Sequence, residues 1–140
     1  MPHPYVLPDD LPAPLARLLA YWRGLLRGSA TVPFGDDLNL ADLADLKDRL
    51  MVIEVFEKPE RFRLDIAGDA LGATTVGHFL DEVRLASPFD FLRSQCGATV
   101  EAAAPTYYRR RAAVGGFARL LLPLWGEGHI NMVLGLVEER

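Results

Sequence analysis

One cysteine among 140 residues, Cys96, rules out a disulfide within the chain, and with it the small secreted domains that such bridges hold together. A reducing cytoplasm suits that usage. Positive charge is scarce as well: 15 Lys and Arg face 19 Asp and Glu, a net charge of −4 at pH 7. Non-specific nucleic-acid binding and attachment to anionic membranes both need the opposite surplus, so neither nucleic acid nor membrane is expected as a partner. No apolar run approaches the roughly 18–20 residues of a membrane-spanning helix. The opening stretch MPHPYVLPDDLP has four prolines and two aspartates, the reverse of a basic, apolar signal peptide. Three histidines, His3, His78 and His129, lie too far apart for metal-ligand spacing, so no metal is expected.

What is present is apolar patterning. Half of the residues are hydrophobic, enough for one globular domain with a core. After a tail over 1–13, Leu15, Leu18, Leu19, Trp22, Leu25 and Leu26 recur at helical spacing, with Arg17, Arg23 and Arg27 opposite. Pro14 fits the first turn and Gly28 a C-terminal stop, which predicts a helix over 14–28 inside a single domain over 14–140. Asn39, with Asp42 three residues on, predicts a short capped turn. The period then changes. LMVIEVFE reads as a strand that is apolar on both sides, whereas RFRLDIAG alternates, with Phe62, Leu64 and Ile66 on one face and Arg61, Arg63 and Asp65 on the other. Ser87 as cap, Pro88 in the first turn and Asp90 at the capping-box position predict a second helix, with Phe89, Leu92, Cys96, Val100 and Ala103 inward. Three strands follow: TYYRRRAAV, FARLLLPLW and INMVLGLVE.

Strands joined by hairpins, with helices inserted between the second and third, predict an α+β domain on an antiparallel sheet. LMVIEVF, LLLPLW and MVLGLV are apolar on both sides, so both sheet faces require cover. The insert is expected on one and the N-terminal helix on the other. Pro123 is expected where strand pairing has lapsed, because proline donates nothing to a ladder. Five strands about 4.8 Å apart are wider than one helix of about 10–12 Å, which leaves part of the outer face bare. A homodimer covering that patch is expected, with Leu18, Trp22 and Leu25 at its interface.

Four stretches, in their order and spacing, resemble the PAS domain family, in a bacterial branch whose members often stand alone. They are LLAYWRGLLRG at 18–28, ERFRLDIAG at 60–68, GATTVG at 72–77 and FARLLLPLWGEGHINMVLG at 117–135. The likeness covers nearly the whole chain from Pro14. One departure lies inside GATTVG, where the family pattern carries a polar or charged pair and this chain has Ala73 and Thr74. The resemblance implies a PAS-like five-stranded antiparallel sheet with the last strand beside the first at its centre. It further implies a non-catalytic sensory or protein-interaction module that binds a small-molecule ligand between sheet and insert. With no output segment expected after Arg140, the signal would pass to another protein in trans.

His78, Phe79, Phe91 and Cys96 are the pocket candidates. His78 falls in the region where haem-binding members carry their axial histidine, but a lone histidine in a glycine-flanked loop specifies little, and haem is not expected. SQCGAT lacks the polar surroundings of a flavin-adduct cysteine, so Cys96 reads as a small buried hydrophobe and no cofactor is identified. GATTVG lacks the Lys and Ser/Thr of a phosphate loop. Arg109, Arg110 and Arg111 read as charges that protect an edge strand rather than as a nucleic-acid patch. Asp65, the one mid-strand carboxylate outside caps and turns, reads as an ion-pair partner of Arg61 and Arg63, so no catalytic set is expected. The alternative is a small cone-shaped α+β enzyme or binding protein of the NTF2-like kind, and strand order separates the two.

Overall fold

Side chains alternate across a strand, so a strand that is apolar at every position must feed two cores at once. The computed structural model describes residues 4–72 and 74–139 and has this arrangement. Five strands, β1 (Leu50–Phe56), β2 (Arg61–Ala67), β3 (Thr106–Arg110), β4 (Phe117–Gly126) and β5 (His129–Glu139), form one antiparallel sheet in the order β2-β1-β5-β4-β3. The last strand lies beside the first at the centre. One face gathers Met51, Ile53, Val55, Phe62, Leu64, Phe117, Leu121, Val133 and Val137, and the other gathers Leu50, Val52, Ala118, Leu120, Leu122, Leu124, Leu134 and Leu136. Gly135 interrupts β5 because a Cβ there would lie 2.7 Å from Met51 Cγ and 2.8 Å from a Leu121 methyl, carbons that already fill the space.

The segment between β2 and β3 covers the first face with Leu71, Leu80, Phe89, Leu92 and Cys96, the last two on helix α2 (Leu92–Ala102). Helix α1 (Ala13–Gly24) covers the second with Leu15, Leu18, Leu19 and Trp22. It stops before the expected Gly28. Leu25 N–H donates to Trp22 O and Leu26 N–H to Arg23 O, which tightens the end into a turn just after the weak helix former Gly24. Asn39 caps as expected, its Oδ1 accepting from Ala41 N–H at 3.1 Å, and opens a 3-10 segment, Leu40–Arg49.

That segment alters the expectation for the outer face. Leu43 is fully buried in the second core, and Leu38, Leu46 and the tail residues Leu7 and Leu11 pack against the same core. Leu50 and Val52 of β1, Ala118, Leu120, Leu122 and Leu124 of β4 and Leu134 and Leu136 of β5 are each at most 7 % exposed. The part of that face over β1, β4 and β5 is therefore covered within one chain, while Ile66 on β2 stays exposed. Leu18 and Trp22 have no surface left to form an interface, and Leu25 is half-buried.

Two local readings are corrected as well. Ile66 does not share a face with Phe62 and Leu64. Val52 pairs with Ile66 but Ile53 with Leu64, so Asp65 is the extra residue of a bulge that turns Ile66 outward to 47 % exposure. Ser87 does not cap α2 either: the helix starts at Leu92 behind Phe91, whose φ of 58° is left-handed, with no side-chain cap. Pro123 meets its expectation. β3 ends opposite Leu121, so at Pro123 the pairing on that side has lapsed, and the Pro123 carbonyl instead accepts from Trp22 Nε1 at 2.8 Å.

Trp22 thus packs a ring and satisfies a buried carbonyl together. Trp22→Ala should cost about 3–5 kcal/mol in urea unfolding, and Trp22→Phe about 1–3 kcal/mol through the orphaned carbonyl. Losses within about 0.5 kcal/mol for both would mean that α1 is not docked on the sheet.

Candidate functional site

In the β4 run FARLLLPLW, position 119 has the parity of Phe117 and Leu121 and must point into the first core. It is an arginine, fully buried. Three interactions hold its guanidinium: Nε donates to Gln95 Oε1 at 2.8 Å, one terminal nitrogen to Pro88 O at 2.9 Å and the other to Asp90 O at 2.8 Å. Gln95 in turn donates through Nε2 to Thr106 Oγ1 at 3.0 Å, and the hydroxyls of Thr99 and Thr106 lie 2.6 Å apart. Gln95, Thr99, Thr106 and Arg119 are the buried polar residues found among those described, and they form one network across α2, β3 and β4.

No carboxylate among the described residues lies within ion-pair distance of the Arg119 guanidinium, although the rings of Tyr108 and Phe117 sit 5.2 and 5.6 Å from it. Burial pulls its pKa down to about 10, so it is still charged at neutral pH. The folded state then binds this proton less tightly than the unfolded chain. The charge opposes folding at neutral pH, and that opposition fades as pH rises above about 10. What the arginine supplies in return is geometry. By holding the carbonyls of Pro88 and Asp90 it fixes the turn before α2, which is why Ser87 does not act as a cap.

Two open grooves flank α2. One of about 470 Å³ is lined by Glu60, Phe62, Phe91, Arg93, Ser94 and Gly97. The other, about 280 Å³, has Val55, Val100, Trp125 and Ile130 as apolar walls with Glu57 and His129 at the rim. His129 Nδ1 lies 3.4 Å from Glu57 Oε1. A cleft beside α1, lined by Asp45, Asp48, Arg49 and Glu138, is remote from both.

The four pocket candidates are not brought together. His78 is exposed, and its backbone pairs with β2, accepting from Leu64 N–H at 3.2 Å. Phe79 packs on Phe56 at 5.3 Å with the Arg61 guanidinium 3.8 Å over its ring. Phe91 is 64 % exposed at the head of α2 and lines the larger groove. Cys96 is fully buried, and burial pushes its thiol up to about 12. Ala73 lies outside the described residues. Asp65 does pair with Arg63, at 2.7 Å, with Glu54 completing that pair from β1 at 3.1 Å, but Arg61 pairs with Asp81 at 2.9 Å instead. Reading the residues by type missed Arg119 and Gln95, though the parity of a charged residue inside an apolar strand marks the first of them.

No family model, curated protein or solved structure matches this chain.

Arg119→Ala should cost about 3–5 kcal/mol, because it strands two backbone carbonyls and Gln95 in the interior. A change near zero in urea unfolding would mean that the network is dispensable. Native Cys96 should react with iodoacetamide at pH 8 orders of magnitude more slowly than in urea, being buried and protonated. Equal rates would contradict its placement.

Proposed function

We propose that this chain is a non-catalytic sensory or protein-interaction module of the PAS type, working in the cytoplasm and signalling to another protein in trans. The strand order carries the reading. A five-stranded antiparallel sheet with its first and last strands adjacent at the centre, and a helical segment between strands two and three lying on one face, is the arrangement the resemblance implied. It weighs against the cone-shaped alternative. No helix among the described residues is long and apolar enough to cross a membrane, which is compatible with a cytoplasmic setting.

A physical route from input to output supports the same reading. A small molecule entering the apolar groove of Val55, Val100, Trp125 and Ile130 would press on α2 from the side. The head of α2 is tied to β4 through Arg119, and four residues further along β4 Pro123 is tied to α1 through Trp22. A displacement of α2 is thereby felt on the opposite face of the sheet, where α1 presents its polar side outward.

Native mass spectrometry of the protein purified from its own host tests this. The expected result is the 15.5 kDa chain carrying a small molecule or a protein partner, with Val100→Trp, which fills the groove, losing the small molecule. The bare chain under every growth condition would contradict the reading.

A further inference from the structure

The two edges of the sheet are treated differently. Along β2 the chain closes its own edge: His78 O accepts from Leu64 N–H, Gly77 N–H donates to Leu64 O, and Leu80 N–H donates to Phe62 O. Along β3 the tail contributes one bond, from Tyr107 N–H to Tyr5 O at 2.9 Å. The next outward-facing N–H, two residues on by the strand period, is that of Arg109, and nothing among the described residues accepts from it. Arg109 is the last outward-facing position of β3, so among the described residues the C-terminal end of this strand is an open edge, and such an edge is a template for another strand.

Charge and an apolar anchor coincide there. Arg109, Arg110 and Arg111 are all exposed in a chain whose net charge is −4. Arg110 lies 3.6 Å from Asp90, while Arg109 and Arg111 have no ion-pair partner among the described residues. Beside them Phe91, 64 % exposed, packs its ring edge-on to Tyr108 of β3 with centroids 5.9 Å apart. A bulky residue with φ near +58° is strained, and such strain clusters where a side chain is presented for use. Arg119 maintains the conformation by holding the carbonyls of Pro88 and Asp90 on the preceding turn.

We propose that the open edge of β3 accepts an extended acidic segment of a partner protein as an added strand, with an apolar side chain of that segment resting on Phe91 and Tyr108. The arginine run selects the occupant. A second copy of this chain would bring like cations against one another, whereas alternating carboxylates on one face of the added strand neutralise Arg109 and Arg111, Arg110 already facing Asp90 from the other side. The inference adds the partner's chemistry to the interaction reading above but stands on the edge alone, so its failure would leave the small-molecule groove untouched.

The test uses the full chain and four labelled probes: a dodecapeptide alternating Glu and Val, its Lys and Val counterpart, the Glu and Val peptide with a central proline, and a twelve-nucleotide oligothymidine. The Glu and Val peptide should bind at least roughly tenfold tighter than any other probe. Its binding should shift the amides of Thr106, Tyr107, Tyr108, Arg109 and Phe91 in NMR spectra and weaken with added salt. Arg109→Glu combined with Arg111→Glu should abolish the preference without changing the unfolding midpoint. Phe91→Asn, which tolerates the left-handed backbone but removes the ring, should weaken binding severalfold. Equal binding of all probes, tighter binding of the oligonucleotide, amide shifts elsewhere on the molecule, or no binding of the Glu and Val peptide would each overturn the proposal. So would edge amides that shift with protein concentration alone, which would assign the site to a second copy.

Discussion

Every side chain of β4 from Phe117 to Leu124 is buried, and the strand reaches this by sending alternate residues to opposite sides. Neither side can be left to water. The sheet is therefore stable only when two separate covers are in place, and the chain supplies them from different parts of its length. The first cover is the segment between β2 and β3, the second α1 with the 3-10 segment and the tail. Each contributes a few large apolar side chains, and each is also fastened to β4 by a buried hydrogen bond from a side chain, Arg119 to Pro88 O on one face and Trp22 to Pro123 O on the other.

The two fastenings differ in kind. Trp22 Nε1 meets a carbonyl freed by the lapse of pairing at Pro123, so one neutral bond satisfies a group that would otherwise be orphaned. Arg119 brings a charge into the interior, and burial disfavours that charge strongly enough to lower its pKa. Leucine at this position would fit the apolar run and avoid the desolvation. It would also leave the turn before α2 without the two bonds that set its direction, and Phe91 would lose the conformation that exposes its ring. The arginine contributes a defined geometry at a cost in stability, a trade found where surrounding structure serves function.

Much of this architecture is legible in the residues. Continuous apolar runs at β1, β4 and β5 require two covers, the helical spacing from Leu15 to Trp22 marks one of them, and Pro123 announces a lapse in pairing. Local rules fail where tertiary contacts outweigh them. Ser87 has good capping chemistry, but the bonds from Arg119 to Pro88 and Asp90 override it. Ile66 fits the alternation of β2 until a bulge at Asp65 reverses its direction, and a bulge leaves no pattern in a single strand. The width of the outer cover is illegible for another reason: Leu7, Leu11, Leu38 and Leu46 are scattered outside any helical or strand period, and only the folded chain collects them on the second core. The inward position of Cys96 is legible from helical spacing, whereas nothing in residue type shows that Phe91 points out.

The rest of the structure depends most on the bonds by which Arg119 holds the turn before α2, which the Phe91–Tyr108 ring contact and the Arg110–Asp90 pair supplement. Amide hydrogen exchange on Arg119→Met, which keeps the length of the side chain but none of its donors, addresses this dependence directly. Amides of Phe89, Leu92 and Gln95 should lose protection, while those of α1, β1 and β5 keep theirs. Uniform loss across the chain, or unchanged protection at the head of α2, would contradict the account.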